Sequence, residues 1–204
     1  MKILLLSWCT FLLLSCQPET NKYEVIAELG QVAPSFNLVG HDGKEYNLEK
    51  YRGKLVVLEW LNHGCPFVKK HYNSGNMQKL QEKYTGQDVV WLSIISSAEG
   101  NQGYVSIEEA ASEKTEKNSK ATAVLLDPTG KTGQLYGAKT TPHMFVLDKE
   151  GKIVYQGAID DKPSTQLSDI NGARNYVAEA LDALSEGRNI AVANTKAYGC
   201  SVKY

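Results

Sequence analysis

The chain has 204 residues, 42% of them apolar and 22% charged, with a formal net charge of −1. That length builds one domain with a proper core rather than two. The near-neutral balance, with no basic run to neutralise phosphates, gives no basis for a nucleic-acid partner.

The first residues read as export rather than fold. Lys2 is a minimal positive segment, and residues 3–14 form an apolar run broken only by Ser7 and Thr10. The run is too short and too early for a permanent bilayer span, so residues 1–15 are expected to be a secretion signal. They hold one lysine and no acid, so their removal makes the net charge −2. Leu13-Leu14-Ser15-Cys16 resembles a bacterial lipobox, which implies that Cys16 is lipidated and becomes the new first residue; the alternative is an ordinary signal that contains a cysteine. Each buried acyl methylene contributes about 0.8 kcal/mol, so a multiply acylated Cys16 would hold the domain at a membrane without a spanning helix. Gln17 after that cysteine resembles the pattern sorted to an outer membrane, so the expected location is a lipoprotein facing the periplasm. Residues 16–29 are then its lipidated start and tether.

Residues 33–38 enter a short strand, and His41-Asp42-Gly43-Lys44 supplies a hairpin turn. Residues 54–61 are a nearly continuous run of strand formers, as in a strand buried on both faces. Pro66 sits where a first helical turn tolerates proline, and the helix to Tyr84 is expected to break at Asn73-Ser74-Gly75. A second buried strand spans 88–95. Ser106 reads as the N-cap of a helix reaching Lys117, with Glu108 and Glu109 in its first turn. A strand at 123–126, a turn at 127–130 and a short helix at 132–136 follow. Strands at 143–147 and 152–156 are joined by the hairpin signal Asp148-Lys149-Glu150-Gly151. A polar loop (161–168), an amphipathic helix (172–184) and a tail complete the chain. The order β-β-β-α-β-α-β-α-β-β-α predicts an α/β domain, residues 30–187, with a mixed central sheet and an N-terminal hairpin, then a tail at 188–204.

Of four cysteines, Cys9 leaves with the signal and Cys16 is taken by lipid, so Cys65 and Cys200 remain in an exported, disulfide-permissive setting. Cys65 follows a buried strand and precedes Pro66 and a helix. A helix amino terminus offers free N–H groups and a dipole that favour the thiolate, the form that attacks disulfides and peroxides. His63 could add positive charge or accept a proton, and Gly64 leaves the approach to the sulfur open. Cys200 is open to three readings: a resolving thiol, one half of a static disulfide worth about 5 kcal/mol by loop entropy, or a thiol that never meets Cys65. His41 and His71 are expected to be solvated or packed.

Cysteine at a helix start, two β-α units, then Thr141-Pro142 and a hairpin is an order that resembles the thioredoxin superfamily. Ala33-Pro34-Ser35-Phe36-Asn37-Leu38, Gly43 and Gly53-Lys54 are similar to its redoxin branch of thiol-specific antioxidant, peroxiredoxin and membrane-anchored thiol–disulfide proteins. Residues 60–72 and the closing Tyr198-Gly199-Cys200-Ser201-Val202-Lys203-Tyr204 resemble an uncharacterised peroxiredoxin-like subgroup. The resemblance implies a cis Thr141–Pro142 bond against the catalytic sulfur, with Thr141 offering its backbone to a peptide. It makes Cys65 and Cys200 the candidate catalytic pair, shaped by Asn62, His63, Pro66, Thr141, Pro142 and His143. The substrate is then a disulfide-containing protein or a hydroperoxide, with an external thiol as reductant. Val68 stands where a Cys-x-x-Cys site has its second cysteine, and Asn62 stands at the peroxiredoxin threonine position. No glycine-rich phosphate loop follows a strand, so no cofactor is expected. The competing class is a binding module, either copper-holding through Cys65, His63 and His143 or without redox chemistry; the expectation is that no metal is held.

Overall fold

The computed structural model describes residues 27–204, so the expected signal and the expected lipid attachment at Cys16 lie outside the described residues. Strands β1 (Asn37–Gly40), β2 (Glu45–Asn47), β3 (Val56–Trp60), β4 (Val90–Ile95), β5 (Ala123–Leu126), β7 (His143–Leu147) and β8 (Ile153–Gly157) form one sheet. Its order is β2-β1-β5-β4-β3-β7-β8. The β3–β4–β5 centre is parallel and the remaining pairs are antiparallel. Helices α1 (Pro66–Asn73), α2 (Asn76–Thr85), α3 (Ile107–Glu116), α4 (Lys131–Leu135) and α5 (Tyr176–Ser185) complete an α/β domain with a mixed central sheet, as the sequence predicts. Among the described residues no helix is long and apolar enough to cross a membrane.

The period-two geometry of a strand sends successive side chains to opposite faces, which builds two cores. Val57, Leu61, Trp91 and Ile95 join the core that receives Val68, Tyr72, Met77 and Leu181 from the helices. Val56, Leu58, Trp60, Leu92 and Ile94 face the other core, closed by Phe36, Leu48, Tyr136 and Phe145. Ser106 caps α3 reciprocally with Glu109, the capping box its spacing allows. The expected break in the first long helix falls at Ser74 and Gly75, where Gly75 adopts a φ of +73°.

Three expectations are corrected. The first strand begins at Asn37 rather than Ala33, because the amide of Ala33 is bonded to the Gly151 carbonyl and Pro34 has no N–H to give a ladder. The last helix begins at Tyr176 rather than Gly172. Gly172 sits at φ +78°, and the Asn175 side chain caps the helix by accepting the Ala178 N–H. The tail is not merely a connecting segment: residues 200–201 form strand β9, which pairs with a two-residue strand β6 (Thr140–Thr141).

Candidate active site

The turn after β3 is built by Asn62. Its carbonyl accepts the Cys65 N–H at 3.0 Å, its side-chain oxygen accepts the Gly64 N–H at 2.8 Å, and its amide nitrogen donates to the Gln102 carbonyl at 3.2 Å. Cys65 is therefore the N-cap of α1, with Pro66 in the first turn and no side-chain cap, which leaves first-turn amides for the sulfur. A Cβ on Gly64 would lie 2.5 Å from the Gln102 side chain, so glycine here permits close packing of the 97–104 loop rather than an open approach.

From the other side comes the Thr141–Pro142 peptide, which is cis. The Thr141 carbonyl lies 3.0 Å from Cys65 Sγ and accepts the thiol proton. Antiparallel pairing of β6 with β9 sets Cys200 opposite Thr141 and Ser201 opposite Thr140. That register brings Cys200 beside Cys65, close enough for its thiol and backbone N–H to favour the Cys65 thiolate. Both thiols are free, Cys65 being wholly buried and Cys200 half-buried. The two cysteines thus meet across 135 residues of chain, and the reading in which they remain apart is set aside.

Their acidities split. Burial raises the Cys65 pKa, but donors from Cys200 and from the Val68 N–H outweigh it and hold the thiol below its usual value. Cys200 is pushed up to about 11, by burial, by the proton it shares with Cys65 and by repulsion from the Cys65 thiolate. The pair titrates as a unit in which Cys65 ionises first and Cys200 retains its proton.

Of the two roles open to His63, adding positive charge or accepting a proton, the first is not met. Burial and Lys117 lower its pKa to about 4, so the ring is neutral and packs edge-on against Tyr72 at 4.8 Å. His143 is likewise lowered to about 4, by burial and Lys139, and its ring lies 4.7 Å from Phe145. Tyr72 and Phe145 belong to opposite cores, so the two histidines face away from each other. Among the described residues no group of three or more His, Cys, Asp or Glu side chains is placed to hold a metal. His41 accepts the Val124 N–H, and His71 is packed.

Two buried polar clusters escape a reading by motif. Glu59, on β3 six residues before Cys65, accepts from Tyr72, Gln81, Trp91 and Ser93, and burial still drives its pKa up. The signal for it was a carboxylate inside an otherwise apolar buried strand. Lys70, His71 and Asp160 form the second cluster, with Lys70 Nζ 3.6 Å from Asp160. Tyr198 enters it by donating its hydroxyl to Asp160. Lys70 and His71 sit between the core positions Val68 and Tyr72, an inward-facing charge that periodicity alone reads as surface.

A mixed sheet between helices, with a cysteine at a helix start facing a cis proline loop, defines the thioredoxin-like class of thiol proteins. The profile of the Redoxin family matches residues 28–174, and the chain belongs to that family. It is 26% identical over 161 residues to the Bacillus subtilis thioredoxin-like protein YneN, covering 74% of this chain and 85% of that one. It is 24% identical over 129 residues to the thiol-disulfide oxidoreductase ResA of Bacillus thuringiensis, covering 63% and 69% of the two chains. Among solved structures, an uncharacterised conserved protein from Geobacillus kaustophilus superposes with a TM-score of 0.74 at 28% identity, over 87% of this chain and 92% of that one.

Proposed function

We propose that the protein is a thiol–disulfide oxidoreductase in which Cys65 is the nucleophile and Cys200 the resolving thiol. The observation that carries this reading is the pairing: β9 sets Cys200 opposite Thr141, whose carbonyl lies 3.0 Å from Cys65 Sγ, so the two thiols are neighbours. The Cys65 thiolate attacks one sulfur of a substrate disulfide and forms a mixed disulfide, and the other substrate sulfur leaves as a thiolate. Cys200, losing its proton, then attacks Cys65 Sγ and expels the second substrate sulfur. The substrate gains two electrons and two protons, the pair becomes a disulfide, and an external dithiol restores it while being oxidised.

The name of the ResA relative supports disulfide chemistry, and the arginines favour it over peroxide chemistry, because typical peroxiredoxins use an arginine to stabilise the attacked peroxide. Arg52 donates to the Glu150 carbonyl, Arg174 pairs with Glu179 and Arg188 pairs with Glu186, all away from Cys65. Asn62, at the peroxiredoxin threonine position, has its side chain committed to the turn. The test compares turnover of a small aryl disulfide and of hydrogen peroxide, with dithiothreitol as reductant. Disulfide turnover well above peroxide turnover is expected; peroxide consumption alone would replace this reading with a peroxidase.

Export is part of the proposal. Lipid on Cys16 would place this chemistry at a membrane surface, where disulfides occur. Cys16→Ala with a cleavable signal should move the mature protein from the membrane to the soluble fraction; retention of the variant in membranes contradicts lipid anchoring at Cys16.

A further inference from the structure

Cys65 is wholly buried with β9 paired beside it, so no external sulfur reaches it in this arrangement. The strand is held by seats that alternate along it. The Tyr198 ring lies 5.8 Å from Phe67, and its hydroxyl donates to Asp160 with Lys70 Nζ and His71 Nε2 each 3.4 Å away. Lys70, His71 and Asp160 are all buried, and Lys70 also donates to the Lys162 carbonyl at 2.7 Å. Asp160 Oδ2, which has no hydrogen bond, faces Lys70 Nζ at 3.6 Å, so the carboxylate that holds the Tyr198 hydroxyl is itself held by a buried ion pair. Cys200 sits on Cys65, and Val202 packs against the second core. Between the first two seats the backbone is pressed onto β6: a Cβ on Gly199 would lie 2.0 Å from the Thr141 carbonyl oxygen, at a φ of +143°.

We infer that residues 198–202 occupy the family's peptide groove beside the cis proline as the chain's own pseudo-client, and that the seats they fill select the extended, cysteine-bearing client segments that replace them. The segment carries a tyrosine two residues before its cysteine, a small residue next to the cysteine and an apolar residue two after. This rests on Cys65 as the exchange nucleophile. Main-chain pairing with β6 supplies sequence-independent affinity, and the seats supply the selection. When β9 leaves, the client strand takes its place and its disulfide sulfur falls where Cys200 lay. Cys65 attacks that sulfur, and the client's other sulfur departs as a thiolate. The returning β9 competes for the same edge while Cys200 attacks Cys65 Sγ, so resolution and client release are one event.

The test uses the full chain carrying Gly199→Ala, in which β9 is lifted from β6. Two peptides are offered, each with its cysteine in a mixed disulfide with a chromogenic aryl thiolate: one has the sequence of residues 197–204, and the other replaces its first tyrosine by alanine. The tyrosine peptide should release aryl thiolate roughly 10-fold faster, the ratio that ~1.4 kcal/mol of added binding gives. Both should react more slowly with the wild type, whose own strand competes. Equal rates for the two peptides, or a wild type as fast as the variant, overturn the docking surface. A free aryl disulfide that fails to react with Cys65 in the variant overturns the exchange reading instead. Tyr198→Ala, which empties the seat by side-chain truncation, must show the same peptide preference and serves if Gly199→Ala does not fold.

Discussion

Cys65→Ser reduces disulfide exchange to the uncatalysed rate, and Cys200→Ser leaves the first step intact but stops the second. The asymmetry follows from the split acidities of the pair. Cys65 is the sulfur held below the usual thiol range, and the Val68 N–H at the helix start stays with it when β9 lifts to admit a substrate, so in the proposed cycle it supplies the nucleophile. The first-step rate should rise with pH as Cys65 ionises and level off below the pH at which an ordinary thiol would do so. Cys200, with its pKa pushed up to about 11, keeps its proton and acts as a donor while Cys65 is anionic. Once Cys65 is in a mixed disulfide, the negative charge that held the Cys200 proton is gone, and its acidity returns toward that of a free thiol. Resolution is thereby timed to follow attack. In Cys200→Ser the serine hydroxyl can still donate to the thiolate but cannot resolve, so the substrate should accumulate as a covalent adduct on Cys65, read by intact-mass measurement. Turnover that survives Cys65→Ser would remove Cys65 from the chemistry.

Glu59→Leu should cost about 1–3 kcal/mol for each buried donor left without an acceptor, out of a total stability that is typically ~5–15 kcal/mol. Leucine fills part of the space but leaves the Tyr72 and Ser93 hydroxyls and the Trp91 indole without their acceptor in a dry core, while the Gln81 amide keeps only its bond to the Tyr72 hydroxyl. Those side chains come from α1, α2 and β4, so the loss loosens the platform under Cys65 as well. Glu59→Gln should be much milder. Its oxygen can take the Oε2 position, which accepts from Gln81, Trp91 and Ser93, and its amide can donate to the Tyr72 hydroxyl. The pH dependence separates the two forms. The folded-state pKa of Glu59 is raised, so its contribution is fully present below its ordinary pKa and is lost as pH rises through the folded value. Glu59→Gln lacks that decline. Urea unfolding of the three proteins across mildly acidic to neutral pH measures both effects; a Glu59→Leu midpoint equal to wild type would show that the cluster carries no stability.

The sheet was legible because its strands are short apolar runs between strong turn signals. Residues 54–61 and 88–95 contain β3 and β4, residues 123–126 are β5, and Ser106 with Glu109 marks the start of α3. Cys65 at a helix start was readable from Pro66 alone. What local pattern missed is long-range. β6 and β9 are two residues each, with no periodicity to find, and they exist only because Gly199 lets the tail press against Thr141. Lys70 and His71 look like a solvated helix face until Asp160 and Tyr198, 90 and 128 residues away from Lys70, are brought to them. His63 could have carried charge near the sulfur or accepted a proton there, and burial, which sequence spacing does not show, favours its neutral form.

The central claim is that Cys65 and Cys200 form one exchangeable redox pair. The direct measurement is a thiol count on the reduced, folded domain (residues 27–204) before and after one equivalent of a small disulfide oxidant, with peptide mapping of any bond formed. Two free thiols should fall to none, with a single Cys65–Cys200 linkage that dithiothreitol returns to two thiols while the domain stays folded. Oxidant carried as a stable adduct on Cys65 with Cys200 still free, or a Cys65–Cys200 bond that dithiothreitol opens only after unfolding, would contradict it.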